Sequence, residues 1–322
     1  MSRTDVLQEV RSAKAEACVS ILMATYNGAD FIREQLDSIL RQSHRNWVLH
    51  VSDDGSTDAT LDIVREYAGR LPDGQVLLYE GPRDGFAQNF LSLLRRPEVK
   101  ADFYAFCDQD DIWLEDRLTR ALSQMAPVLV ADVGVLYCSR TCLVDEVGNA
   151  IGFSPLFLNR PDFRNALVQS VAGANTMVFS NAVRDLLARV PQGADVISHD
   201  WLAYILTSGS GGAVIYDQEP SIYYRQHGDN LMGANATLRG RLERLFKMLR
   251  GEFRAWNSSN LRILADFVDD LTAQNRRVLK LFSRARDAGF FSRVIFLRRS
   301  GVRRQTRLDN VALLIATILG RI

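Results

Sequence analysis

Asp108-Gln109-Asp110-Asp111 puts three carboxylates into four residues. Like charges at that spacing repel one another, and they raise the cost of folding unless a cation or a dense set of hydrogen bonds offsets them. Hard divalent cations take carboxylate oxygens, and magnesium commonly bridges one or two carboxylates to substrate phosphates. The chemistry this run suits is metal-assisted handling of a diphosphate. A solvated turn is the plainer alternative. Asp53-Asp54-Gly55 is a weaker signal, because a loop carboxylate most often caps a helix or forms a turn. No GxGxxG fingerprint follows the first apolar run and no GxxxxGK[ST] loop occurs, which speaks against a dehydrogenase and a P-loop NTPase.

Strands must carry these acids if they are to meet. Val19–Ala24 is a short continuous apolar run that reads as a buried parallel strand. Trp47–Val51, Gln75–Tyr79 and Phe103–Cys107 read as further strands. Helical spacing fills Phe31–Leu40, Ala59–Tyr67, Ala87–Leu94 and Arg117–Met125, with Ser56, Thr57 or Asp58 as the cap of the second. This alternation predicts an α/β fold around a mostly parallel sheet with right-handed crossovers. Ligands of such sheets bind beyond the carboxyl ends of the strands, and Thr25–Gly28, Asp53/Asp54 and Asp108–Asp111 all sit there. Val133–Cys138, Asn165–Leu167, Asn175–Phe179, Ala213–Tyr216 and Ser221–Tyr224 continue the pattern less regularly, with a helix at Val183–Ala188.

The net charge of +1 conceals a split. Residues 1–232 hold 20 basic and 31 acidic side chains, and residues 233–322 hold 19 basic and 7 acidic. After about residue 232 the texture turns helical, and two or three amphipathic helices are expected over 237–322. The expected organisation is a polar tail (1–17), a catalytic domain (18–232) and a basic amphipathic helical region (233–322). Cys18, Cys107, Cys138 and Cys142 form neither a disulfide framework nor a zinc pattern and read as free thiols. Residues 1–17 lack the apolar core of a signal peptide, and no run reaches the ~18 apolar residues of a spanning helix. A cytoplasmic protein is expected, soluble or attached at the inner face of the membrane.

Four runs, in order and spacing, resemble the family 2 glycosyltransferases, inverting nucleotide-sugar enzymes of the GT-A fold. They are Ser20–Gly28 (SILMATYNG), Gln35–Ser43 (QLDSILRQS), Ser52–Asp58 (SDDGSTD) and Cys107–Trp113 (CDQDDIW). With His199-Asp200-Trp201 and Tyr224–Asn230 (YRQHGDN), the chain is similar to the rhamnosyltransferase-like branch. The resemblance implies transfer of one sugar, L-rhamnose from dTDP-L-rhamnose, to a saccharide acceptor, lipid-linked in that branch, in bacterial surface polysaccharide synthesis. It implies Mg²⁺ or Mn²⁺ as cofactor. The QxxRW motif and membrane helices of processive members do not occur.

By that resemblance Thr25 shapes the first loop, and Tyr26 and Asp54 contact base and ribose. Asp108, Asp110 and Asp111 form the DxD-type site, with Asp111 a direct metal ligand and Asp110 near ribose or sugar. Asp200 matches the catalytic base, which must reach the acceptor hydroxyl. The bland alternative for Asp200 is a helix-cap or first-turn acid. His199 reads first as a packing residue and Trp201 as a core anchor. Arg225 and His227 follow a strand and can approach a diphosphate, with His227 a candidate metal ligand. Arg83 lies in the Gly81–Gly85 turn before a helix, a place that favours anions.

Two other readings remain at this level: a transferase using another nucleotide sugar of the UDP-glucose or UDP-galactose type, and a non-catalytic glycan-binding subunit. The basic C-terminal region fits an anionic membrane surface, a homodimer contact or packing on the catalytic domain. Nucleic-acid binding is not expected, since no recognition motif accompanies the basic residues.

Overall fold

The structure, a computed structural model, describes residues 17–227 and 251–322. Gly228–Asn230 of the YRQHGDN run and the basic stretch from Thr237 to Leu249 lie outside the described residues, as does the expected boundary at 232.

In chain order the first part runs β1 (Val19–Thr25), α1 (Ile32–Leu40), β2 (Trp47–Asp53), α2 (Thr60–Ala68), β3 (Val76–Glu80), α3 (Gly85–Arg95), β4 (Phe103–Cys107), β5 (Ile112–Trp113) and α4 (Arg117–Met125). The middle runs β6 (Val135–Ser139), β7 (Cys142–Val144), β8 (Ala150–Phe153), α5 (Phe163–Ala166), β9 (Val178–Ser180), α6 (Asn181–Ala188), α7 (His199–Gly209), β10 (Ala213–Asp217) and β11 (Ile222–Arg225). The last described part is helical: α8 (Glu252–Ala265), α9 (Ala273–Asp287), α10 (Phe290–Ser300) and α11 (Arg307–Ile318).

Seven strands form the main sheet in the order β10-β6-β9-β4-β1-β2-β3. All neighbours are parallel except β9, which is antiparallel to both β4 and β6. A smaller sheet, β5-β11-β7-β8, stands beside it. The architecture is an α/β fold built on this mostly parallel sheet with flanking helices.

Alternate residues of β1 serve opposite faces, as strand geometry requires. Val19, Ile21 and Met23 join the core under α1, α2 and α4, whereas Leu22 joins the core under α3, α6 and α7. Burial on both faces explains why β1 reads as an unbroken apolar run.

Some expected elements differ. Residues 165–167 are not extended: Asp162 caps α5, its Oδ1 accepting from Asn165 N at 2.9 Å. The run 175–179 begins with a 3₁₀ turn (174–176), and only its end is strand. The short β5, β7 and β8 were not foreseen, because strands of two to four residues carry too little periodicity. Four helices fill 251–322, where two or three were expected over 237–322.

These C-terminal helices pack on the α/β part. Phe253, Leu264, Phe267, Phe282 and Leu313 belong to the same core as Phe90, Phe106 and Trp201. Arg189 grips Asp270 with two hydrogen bonds of 2.8 and 2.7 Å, and Arg303 reaches Asp162 at 2.6 Å. No described helix is long and apolar enough to cross a membrane.

Candidate active site

The register of the central strands sets the site. Thr25 pairs with Asp53 across β1 and β2, and Met23 with Cys107 across β1 and β4. Tyr26, Asp54 and Asp108 therefore leave neighbouring strands at one edge of the sheet, where crossover topology opens a crevice.

Asp108, Asp110 and Asp111 each place a carboxylate oxygen within 4.8 Å of the others. Asp111 is fully buried. Asn175 Nδ2 donates to its Oδ2 at 2.6 Å and Arg225 N to its Oδ1 at 3.2 Å. His227 Nε2 lies 2.8 Å from Asp110 Oδ2, and its Nδ1 is buried without a hydrogen-bond partner among the described residues. Burial, then Asp110, then Asp200 push the Asp108 carboxyl well above the usual carboxylate range. Burial, then Asp110 and Asp108 do the same to Asp111. Hard oxygen donors this close, short of positive charge, form a donor set that suits a divalent cation.

A buried guanidinium lies next to them. Arg117 is fully buried, its guanidinium carbon over the Trp113 ring, 3.6 Å from the centroid. Its Nη2 donates to Asn175 O at 2.8 Å, and burial lowers its pKa to about 10. Arg117 thus braces Asn175, which in turn holds Asp111. The sequence places Arg117 on an ordinary amphipathic helix and carries no signal of this role.

The acids at the end of β2 have distinct duties. Asp53 is turned inward: its Oδ1 accepts from Thr25 Oγ1 at 2.8 Å and Ser56 Oγ at 2.6 Å, and its Oδ2 from Ser56 N at 2.8 Å. Asp54 accepts from Arg83 N at 2.6 Å and Gly85 N at 3.1 Å, so it anchors the turn that opens α3. Arg83 has a left-handed backbone, φ 58°. A Cβ on Gly81 would lie 2.8 Å from both Asp53 O and Asp54 Oδ1, so only glycine lets this turn close. Tyr26, by contrast, is 59% exposed on the lip of the crevice.

Arg225 is used internally. Its guanidinium is 1% exposed, packs on Phe31, donates to Asp110 O at 3.1 Å and to Glu146 O, and pairs with Glu34 at 2.7 Å. In this structure it holds the acidic loop rather than facing open space.

Asp200 lies in the first turn of α7, after the N-cap residue Ser198. Its Oδ1 accepts from Trp201 N at 2.6 Å and from Ser198 Oγ. The first-turn reading is therefore correct as a description of place, and that first turn abuts the end of β4, where His199 meets Phe106 two residues before Asp108. Burial raises the Asp200 pKa to about 6, partly offset by the amides of Trp201, Asp200 and Ala174. A carboxyl of that pKa is ionised at neutral pH and still basic enough to take a proton. His199 stacks on Phe90 at 4.1 Å and meets Phe106 edge-on at 4.6 Å, and burial holds its pKa near 3. It is a neutral packing residue. Trp201 is buried, its Nε1 donating to Ala166 O at 2.7 Å, as expected of a core anchor.

The family model for glycosyl transferase family 2 matches residues 20–186, more than half of the chain. The chain belongs to glycosyltransferase family 2. The dTDP-rhamnosyl transferase RfbG of Shigella flexneri is 27% identical over 304 residues, 92% of this chain and 99% of its own length. WfgD of Escherichia coli, a UDP-Glc:alpha-D-GlcNAc-diphosphoundecaprenol beta-1,3-glucosyltransferase, is 35% identical over 108 residues, 33% of this chain and 40% of WfgD. Among solved structures, residues 1–349 of Staphylococcus aureus TarS superpose with TM-score 0.52 at 16% identity, covering 88% of this chain and 89% of that one. GalNAc-T7, solved with UDP, GalNAc and Mn²⁺, gives TM-score 0.51 at 11% identity, covering 74% and 51%. These likenesses establish the GT-A fold.

One positioning residue of this glycosyltransferase escaped the sequence reading. Gln109 Oε1 accepts from Tyr26 N at 2.9 Å and its Nε2 donates to Tyr26 O at 3.0 Å. It closes the first loop onto the acidic loop as a bridging strand would. A Cβ on Gly28 would fall 2.3 Å from Gln109 Oε1, so Gly28 keeps space for that clamp. The signal was visible in the adjacency of Gln109 to Asp108 and Asp110, but an uncharged residue between acids reads as a spacer.

Proposed function

We propose that this glycosyltransferase moves a single L-rhamnosyl unit from dTDP-L-rhamnose to a saccharide acceptor, with inversion at the anomeric carbon. The observation that carries the chemistry is the convergence of the Asp108, Asp110 and Asp111 carboxylates at the end of β4, against which the first turn of α7, bearing Asp200, packs through His199 and Phe106. Likeness to RfbG along nearly the whole of both chains supports the donor.

Tyr26 and the turn anchored by Asp54 would wall the base and ribose, with Thr25 shaping the first loop and Arg83 placed for the diphosphate. Asp110, Asp111 and His227 would hold Mg²⁺ or Mn²⁺, with Asp108 beside them, and that ion supplies charge stabilisation for the departing diphosphate. Asp200 accepts the proton of the acceptor hydroxyl as its oxygen bonds to the anomeric carbon. The bond from that carbon to the diphosphate oxygen breaks on the opposite face, and dTDP carries away the electron pair. By the resemblance to the rhamnosyltransferase-like branch, the acceptor would be a growing surface glycan on a lipid carrier.

A second donor reading has its own support. The glucosyltransferase WfgD is 35% identical over 108 residues, a higher identity over a shorter stretch. Thermal melting of the purified protein with dTDP-L-rhamnose, UDP-glucose and UDP-galactose, each with and without Mn²⁺, separates the two. Stabilisation by dTDP-L-rhamnose that requires the metal is expected. Stabilisation by a UDP-sugar alone replaces the donor, and no metal-dependent stabilisation by any of them overturns the proposal.

A further inference from the structure

The outer face of the last two helices has no protein partner among the described residues. On α11, Leu308 (69% exposed), Val311, Ile315 and Leu319 recur every three or four residues, so they line one continuous face. Phe291 (80% exposed) and Ile295 do the same on α10. The two stripes are neighbours. Arg293 of α10 donates to Thr317 O and Ile318 O, which brings the Phe291 end of α10 beside the Leu319 end of α11. Monomeric proteins rarely leave a contiguous apolar area of this extent in water.

Charge surrounds the patch on one side of neutrality only. From Gly289 to Ile322 there are seven arginines and one aspartate. That aspartate, Asp309, is occupied in the cap of α11, accepting from Thr306 Oγ1 at 2.7 Å. Arg298 and Arg299 end α10, Arg307 begins α11 and Arg321 follows it. All four are exposed and none pairs with an acid among the described residues.

We propose that this face rests on an anionic lipid surface, with the apolar stripe among the acyl chains and the arginines at the level of the headgroup phosphates. A helix of this composition lying in the interface plane buries its apolar side and gains from anionic lipid together. A second copy of the chain fits less well. A two-fold contact would set each rim of arginines against its own image, and like charges across an interface disfavour association. Residues 228–250, with five basic and two acidic side chains, meet the same repulsion. The proposal is independent of which sugar is transferred.

Sedimentation of the full chain with vesicles tests it. Vesicles rich in phosphatidylglycerol should bind the protein at low salt, and vesicles of phosphatidylcholine alone should bind it far less. Phe291→Ser with Ile315→Ser should weaken partitioning by about tenfold or more. Arg298→Glu with Arg299→Glu should abolish the preference for anionic lipid and its salt dependence. Circular dichroism and melting temperature confirm that both variants fold, since every altered residue is exposed. Equal binding by wild type and variants overturns the proposal, as does no binding to either vesicle. A dimer in sedimentation velocity that the Phe291/Ile315 variant dissociates, with vesicle binding unchanged, assigns the face to a second copy instead.

Discussion

Asp200 answers to two demands that pull apart. Its buried carboxyl has a pKa raised from 3.8 to about 6. A folded-state pKa above the unfolded value favours folding while the group is protonated. That contribution is fully present below about pH 4 and is lost as pH rises through about 6. As the proposed proton acceptor, however, Asp200 must be ionised. Transfer should therefore fall below about pH 6 along a single-proton limb in kcat/KM, in the range where this group stabilises the fold. Asp200→Asn should keep donor affinity, read by calorimetry, and lose about 10²–10⁴ in rate. Turnover within a few fold of wild type would move the base elsewhere. The sequence alone shows Asp200 only as an acid before an apolar run; its nearness to Asp108 spans 92 positions and comes from the fold.

Between residue and molecule stand the strand-end loops. The four parallel strands β3, β2, β1 and β4 were legible, because buried parallel strands announce themselves as apolar runs. Their register, which sets Tyr26 beside Asp108, was not, since nothing in the period of one strand states its alignment with the next. Gln109 shows what that hides. It ties the loop after β1 to the loop after β4 through both polar atoms of its amide. If the first loop holds the base and the acidic loop the metal, binding of the two should be linked. Gln109→Ala removes two hydrogen bonds worth about 1 kcal/mol each, so donor affinity should weaken by about tenfold or more. The Mn²⁺ dependence of that affinity should flatten. A variant that binds donor as wild type does, with the same metal dependence, shows the clamp to be dispensable. Arg225 and Arg117 carry the same lesson with opposite signals. One was read as a ligand contact and is an internal brace; the other went unread and underlies the whole acidic loop.

At the scale of the molecule, charge separation along the chain does not become separation in space. The acid-rich part and the base-rich helices share one core, with Phe253, Phe267 and Leu313 packed alongside Trp201. Composition revealed the helical texture of this region but could not say what it packs on, because an amphipathic stripe names no partner. The junction includes Asn275 of α9, whose Nδ2 donates to Ser208 O at 3.0 Å and Gly209 O at 2.9 Å. Those are carbonyls at the end of α7, where a helix's last C=O groups have no donors within the helix. Asn275→Ala should cost about 1–2 kcal/mol of stability, read as a lowered denaturant midpoint with unchanged slope. No shift in midpoint would mean that water caps these carbonyls equally well.

That junction also gives α7 the shape of an axle. Its first turn holds Asp200 and its last turn is pinned by α9, about 13 Å away at 1.5 Å per residue. Leu271 and Phe163 crowd Gly209, where a Cβ would come within 2.7 Å of Leu271, so the pinned end has no slack. Heat that loosens the C-terminal helices frees the far end of the rod that carries the base. Inactivation and loss of the outer helices should then coincide in time, leaving no warm, folded but idle intermediate.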